Sequence, residues 1–121
     1  MDKKEVKLDG ECSVVVACAT MAASFRRDRA GYTARVEAGP DASGDELALI
    51  DLYADLVGGT VEARGFEWPV SFPEFLAWDG TLYYTRLVPW LDAVLGINPQ
   101  WANVSEPELG EASAGGGSDS A

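Results

Sequence analysis

The stretch from residue 66 to residue 101, FEWPVSFPEFLAWDGTLYYTRLVPWLDAVLGINPQW, constrains the fold more than any other. It holds nine of the chain's twelve aromatic residues, all four tryptophans and four of the six prolines. Trp68-Pro69 sets an extended entry, because proline biases the residue before it away from the helical region. Ser71 is placed to cap a short helix, with Pro73 in its first turn and Glu74 at the capping-box position. That helix carries Phe72, Phe75 and Leu76, with Trp78 near its end, and Asp79-Gly80 closes it as a turn. A second helix is expected from about Thr81 to Gly96, with Tyr84, Leu87, Val88, Leu91, Val94 and Leu95 on one apolar face. Asn98-Pro99 stops it. Pro89 lies inside this helix and removes one backbone hydrogen bond, so either the helix kinks near Tyr84–Thr85 or a separate helix starts with Pro89 in its first turn; a single kinked element is the favoured expectation.

The segments before this stretch alternate strand and helix patterns. Asp9-Gly10 is a hairpin-turn dipeptide, and residues 4–8 and 11–16 read most economically as the two strands it joins, the alternative being that Val14–Val16 already belongs to the next helix. An isolated hairpin is marginal in water, so Val14 and Val16 must lie on helices. From Ala17 to about Glu37 the pattern is helical, with Cys18, Met21, Phe25, Tyr32 and Val36 on one stripe that the periodicity assigns to the core. Arg26, Arg27, Arg29 and Arg35 fall off that stripe, as a solvated face would. Ser43 and Glu46 form the next capping box. The helix that follows carries Leu47, Leu49, Ile50, Leu52, Tyr53, Leu56 and Val57. With only Asp51 and Asp55 expected to face out, it should be the most buried helix. Gly58-Gly59 reads as its C-terminal cap, and Thr60–Arg64 as a short extended connector.

The expected architecture is therefore mainly α: one small helical domain over residues 1–103 with a short N-terminal β-hairpin. Residues 104–121 are rich in Gly, Ser, Ala and acidic side chains. With little apolar surface to offset the entropy of ordering, they are expected to form a disordered tail.

Charge and composition exclude several function classes. The chain carries a formal net charge of −11. Residues 1–40 hold seven basic and six acidic residues, whereas residues 41–121 hold two and fourteen. Nucleic-acid affinity comes largely from clustered Lys and Arg, so no nucleic-acid partner is expected. No run approaches the ~18 apolar residues of a membrane span, and the N-terminus lacks the apolar core of a secretory signal. No membrane partner is expected, and the compartment reads as cytosolic. Cys12 and Cys18 read as reduced thiols, and two cysteines without any histidine make a poor metal site.

Catalytic chemistry finds no support. Glu67 and Glu74 are the acids beside the aromatic stretch, and they read more simply as a connector acid and a capping acid. Phosphate-binding glycine loops and nucleophile elbows are missing from the sequence. A non-enzymatic protein with no catalytic, cofactor-binding or metal-binding residues and no cofactor is expected. The aromatic residues point elsewhere. Each of these side chains can bury ~150–250 Å², and a domain of this size has limited room for nine in one stretch. Part of the set is expected to line an exposed patch, which makes Trp68, Phe72, Phe75, Trp78, Trp90 and Trp101 the candidate partner-binding residues.

The order of these pieces carries a resemblance. Trp68, Pro69, Phe72, Glu74, Phe75 and Leu76, followed by Trp90 to Leu95, Ile97, Asn98, Pro99 and Trp101, resemble the C-terminal half of the tail assembly chaperones of long-tailed bacteriophages. The match covers about a third of the chain, and Pro89 before Trp90 departs from the family pattern. The resemblance implies a protein that keeps the helical tape measure protein soluble during tail assembly. Its partners would be the tape measure protein and other tail assembly proteins, and a homo-oligomer is left open. It would act in the host cytoplasm and be absent from the mature particle. In that family a longer second product is often made by ribosomal slippage near the end of the first gene, so this chain would be the first, shorter product. Gly115-Gly116-Gly117 would suit such a shift if a run of G encodes them. Two other classes fit the composition: a small connector or tail-completion protein of the particle, and an acidic inhibitor imitating nucleic acid.

Overall fold

The computed structural model describes residues 2–105. A three-stranded antiparallel sheet in the order β1-β2-β3 is built from β1 (Lys3–Lys7), β2 (Ser13–Ala17) and β3 (Thr60–Arg64). The hairpin forms as the sequence predicts. Lys3 pairs with Ala17 and Lys7 with Ser13, and Gly10 takes the positive φ of 55° that the turn needs. The third strand corrects an expectation: Thr60–Arg64 is not a mere connector. It pairs along the other edge of β2, Ser13 against Arg64 and Val15 against Glu62, with an irregularity where Val16 meets Thr60. β2 thus becomes a central strand, and Val14 and Val16 are fully buried.

Two long helices follow the hairpin, α1 (Met21–Ala38) and α2 (Gly44–Gly59). α1 begins four residues later than expected. The Thr20 hydroxyl caps it by accepting from the Ala23 N–H at 3.1 Å, while Ala17 still belongs to β2. Ser43 caps α2 as expected, accepting from the Glu46 N–H at 3.1 Å. The Gly58-Gly59 pair is no cap: both residues lie within α2 and Thr60 follows as the cap. These glycines instead allow close packing. A Cβ on Gly58 would stand 2.6 Å from Cβ of Arg27, and one on Gly59 would stand 2.5 Å from Cγ1 of Val94.

The aromatic stretch supplies the remaining elements. The capping box at Ser71 is present in full, with the Glu74 carboxylate accepting from the Ser71 N–H at 3.0 Å, and it opens α3 (Phe72–Leu76). The next helix is continuous but not regular. Residues Tyr83–Leu87 form a π-helical turn that runs directly into α4 (Val88–Ile97), with Pro89 in the first turn of α4. The wider turn sits where the proline ring would otherwise crowd the carbonyl four residues back. The Val88 N–H donates to the Tyr83 carbonyl, five residues back, which is the π-helical spacing. Leu87, Trp90 and Val94 form the buried face. Tyr84, expected on that face, is exposed, because the π turn rotates it outward. Pro99 opens a further helix, α5 (Pro99–Ser105), which runs two residues past the boundary expected at 103. From residue 106 onward the expected tail lies outside the described residues.

One core joins these elements: Val14 and Val16 from β2, Ile50 and Leu56 from α2, Phe72 and Phe75 from α3, Trp90 and Val94 from α4. Asn98 is fully buried. Its side-chain carbonyl accepts from the Ala19 N–H at 2.8 Å, and its amide donates to the carbonyls of Ala17 at 3.0 Å and Val94 at 3.1 Å. A residue that reads in the sequence as a helix stop therefore also ties the end of α4 to the end of β2. Among the described residues, no helix is long and apolar enough to cross a membrane.

Candidate functional site

The six aromatic residues expected to contact a partner divide between buried and half-buried positions. Phe72, Phe75, Trp90 and Trp101 are buried, and Trp68 and Trp78 are half-buried. Five of the six are brought together in one ring network. Trp68 meets Trp90 edge-on at 4.7 Å between ring centroids, Phe75 meets Trp78 at 5.3 Å, and Tyr53 on α2 meets Phe72 at 5.3 Å. Such edge-on and tilted pairs suit the ring quadrupole. Two of the polar ring ends are satisfied inside: the Trp90 indole N–H donates to the Thr60 hydroxyl at 2.9 Å, and the Tyr53 hydroxyl donates to the Val70 carbonyl at 2.6 Å. Burial, with Glu37 and Glu74 nearby, pushes the Tyr53 hydroxyl above its usual pKa. Arg86 closes one side, its guanidinium 4.6 Å from the Phe66 ring and its Nε 3.0 Å from Asp9. Trp101 lies beneath the Arg27 guanidinium at 4.7 Å, apart from these ring pairs.

Among the described residues, an aligned row of exposed large apolar side chains lies elsewhere, on α1. Met21 is 91% exposed, Phe25 69%, Tyr32 70% and Val36 61%. The periodicity assigns this stripe to the core, and the structure turns it to solvent. The reason is the opposite side of the same helix. Ala23, Gly31 and Ala34 are buried there, with Ala30 and Ala38 half-buried. This face of small residues lets α1 approach α2 closely; a Cβ on Gly31 would stand only 3.5 Å from Cβ of Ala54. A helix packed this way cannot also bury its large residues, which lie roughly half a turn away at ~100° per residue.

The arginines of α1 are likewise sorted by face. Arg27 points inward and donates through Nε to Asp55 at 2.6 Å, so Asp55 is buried rather than solvent-facing as the sequence suggests. Burial pushes the Asp55 carboxyl above its usual pKa, against the opposing pull of Arg27. Arg35 pairs with the half-exposed Asp51 at 2.6 Å. Arg26 and Arg29 remain on the surface beside the apolar stripe. They also edge a groove of roughly 330 Å³ between α1, α2 and α3, floored by Ala30, Tyr53 and Phe72.

Sequence reasoning finds the α1 stripe but assigns it to the wrong side. The signal that places it correctly is the run of Ala23, Ala30, Gly31, Ala34 and Ala38, which is a packing face of its own. No protein-family model matches this chain, no curated protein is significantly similar to it in sequence, and no solved structure significantly matches its fold.

Proposed function

We propose that the chain is a non-enzymatic tail assembly chaperone, which keeps a tape measure protein soluble by holding its apolar helices against the outer face of α1. The observation that carries this reading is the contrast within one small domain. Its core is closed by the aromatic network, yet four large apolar side chains stand in a row on the surface of α1. Isolated exposed apolar residues are ordinary, but an aligned row of this kind marks a protein-binding surface. An amphipathic client helix would lie along it, in the helix-to-helix manner that uses anchors at i, i+3, i+4 and i+7. The resemblance of the segments around Trp68 and Trp90 to tail assembly chaperones supports the choice of client. On this reading the protein acts in the host cytoplasm, without a cofactor, and leaves before the particle is complete.

Co-expression tests it. A tape-measure-like protein produced with this chain should remain soluble, and Phe25→Asp or Tyr32→Asp should send it to the pellet while the chaperone itself still folds. Retention of the client by both variants would put its binding away from α1, and the absence of any solubilising effect of the unaltered chain would overturn the function.

A further inference from the structure

We propose that in the free protein the outer face of α1 is covered by the same face of a second copy, with the two helices parallel and in register. The inference concerns the chain alone and does not depend on the identity of a client.

The stripe has a gap that points to this occupant. Met21, Phe25, Tyr32 and Val36 are spaced by four, seven and four residues, and the interval between Phe25 and Tyr32 is filled by Asp28 and Arg29. At ~100° per residue these two lie on opposite flanks of the stripe, each about 50° from its centre line. A two-fold axis parallel to the helices sets the left flank of one α1 against the right flank of the other. Asp28 of each copy then faces Arg29 of the other, giving two ion pairs across the gap, while each apolar residue meets its own counterpart. An antiparallel pair with the stripes aligned brings Asp28 near Asp28 and Arg29 near Arg29, which is repulsive.

Both charges are free for this use. Asp28 is three-quarters exposed and, among the described residues, has a single longer contact, 3.6 Å to Arg27. Arg29 makes no hydrogen bond or ion pair among the described residues. The location also suits an acidic chain. The surplus of negative charge lies in residues 41–121, whereas α1 carries four arginines against two acids. The stripe lies roughly opposite the face of α1 that packs on α2, so the bodies of the two copies would extend away from each other. Four side chains and their flanks make a small interface, so the pairing belongs to the weak class that buries less than ~1,200 Å².

Sedimentation equilibrium of the full chain in reductant, from micromolar to millimolar concentration, reads the pairing directly. A reversible monomer–dimer equilibrium is expected. Phe25→Asp should leave a monomer with an unchanged unfolding midpoint. Asp28→Arg should weaken the dimer by about tenfold, since two exposed attractions become repulsions, and adding Arg29→Asp to it should restore the dimer. Orientation is read by Val36→Cys in a chain with Cys12→Ser and Cys18→Ser. Under mild oxidant the parallel pair links position 36 to itself, whereas an antiparallel pair leaves this variant uncrosslinked. A monomer at every concentration, a dimer indifferent to Phe25→Asp, or a dimer that does not crosslink through position 36 would each overturn the proposal. A monomer that still holds a client in solution would overturn the pairing and leave the chaperone reading intact.

Discussion

The aromatic network and the outer face of α1 are both rich in large apolar side chains, and the fold treats them in opposite ways. Rings from the aromatic stretch converge around Tyr53 of α2 and close over one another. The α1 stripe has no such company, because α1 reaches the body of the protein through alanines and a glycine. What decides burial is therefore which face of a helix can approach its neighbour, and not which face carries the larger residues. A close helix pair is set by small side chains, and the large ones on the far side are left as surface.

The sharpest break in that comparison comes from the network. Trp90→Ala removes its fully buried centre and should cost about 3–5 kcal/mol, read as a fall in the urea midpoint. A loss below ~1 kcal/mol would show that the network is not the core. The next effect tests the inward arginine. Arg27→Met strands the buried Asp55 carboxylate and should cost on the order of 2–3 kcal/mol, less than for a fully enclosed pair. The reason for the smaller figure is that about a fifth of the Arg27 side chain, 20%, remains in water.

Gly58→Ala probes the close approach itself. The new Cβ would meet Cβ of Arg27 at 2.6 Å and the Ala23 carbonyl at 3.2 Å. Overpacking should outweigh the ~1 kcal/mol gained in helix preference and leave a net loss of about 1–2 kcal/mol. A gain in stability at this site would mean that the two helices are not held together by small residues.

Much of this is legible in the sequence, for physical reasons that can be named. Ser43, Ser71 and Asp9-Gly10 act through bonds to their own neighbours, so local spacing suffices to place two helix starts and a turn. Thr60–Arg64 is not legible as a strand, because its pairing partner β2 lies more than forty positions earlier. Gly58 and Gly59 mislead because a glycine pair near a helix end serves equally as a cap or as a contact, and only the neighbour distinguishes the two. Asp55 misleads in the same way: its partner Arg27 lies on another helix. For the candidate site, periodicity finds Met21, Phe25, Tyr32 and Val36 as a set, and it cannot tell the inside of α1 from the outside.

A smaller effect separates the buried carboxylate from the exposed ones. The folded pKa of Asp55 is raised above 3.8, so between that value and the folded one the native state binds more protons than the unfolded state. This group alone makes stability fall as pH rises through that window. Asp55→Asn, which keeps a hydrogen bond to Arg27, should remove that component from the pH dependence of the urea midpoint. An unchanged profile would mean that Asp55 is hydrated like the surface acids.

The smallest expected effect is the most direct test of the contrast between the two regions. Replacing Met21, Phe25, Tyr32 and Val36 together by glutamine keeps good helix formers on α1 while removing its entire apolar stripe. At low concentration, where the chain is monomeric, the urea midpoint of this variant should stay within ~1 kcal/mol of the unaltered protein. A loss above about 4 kcal/mol, the scale of core deletions, would show that these side chains belong to the core and that α1 has no free face.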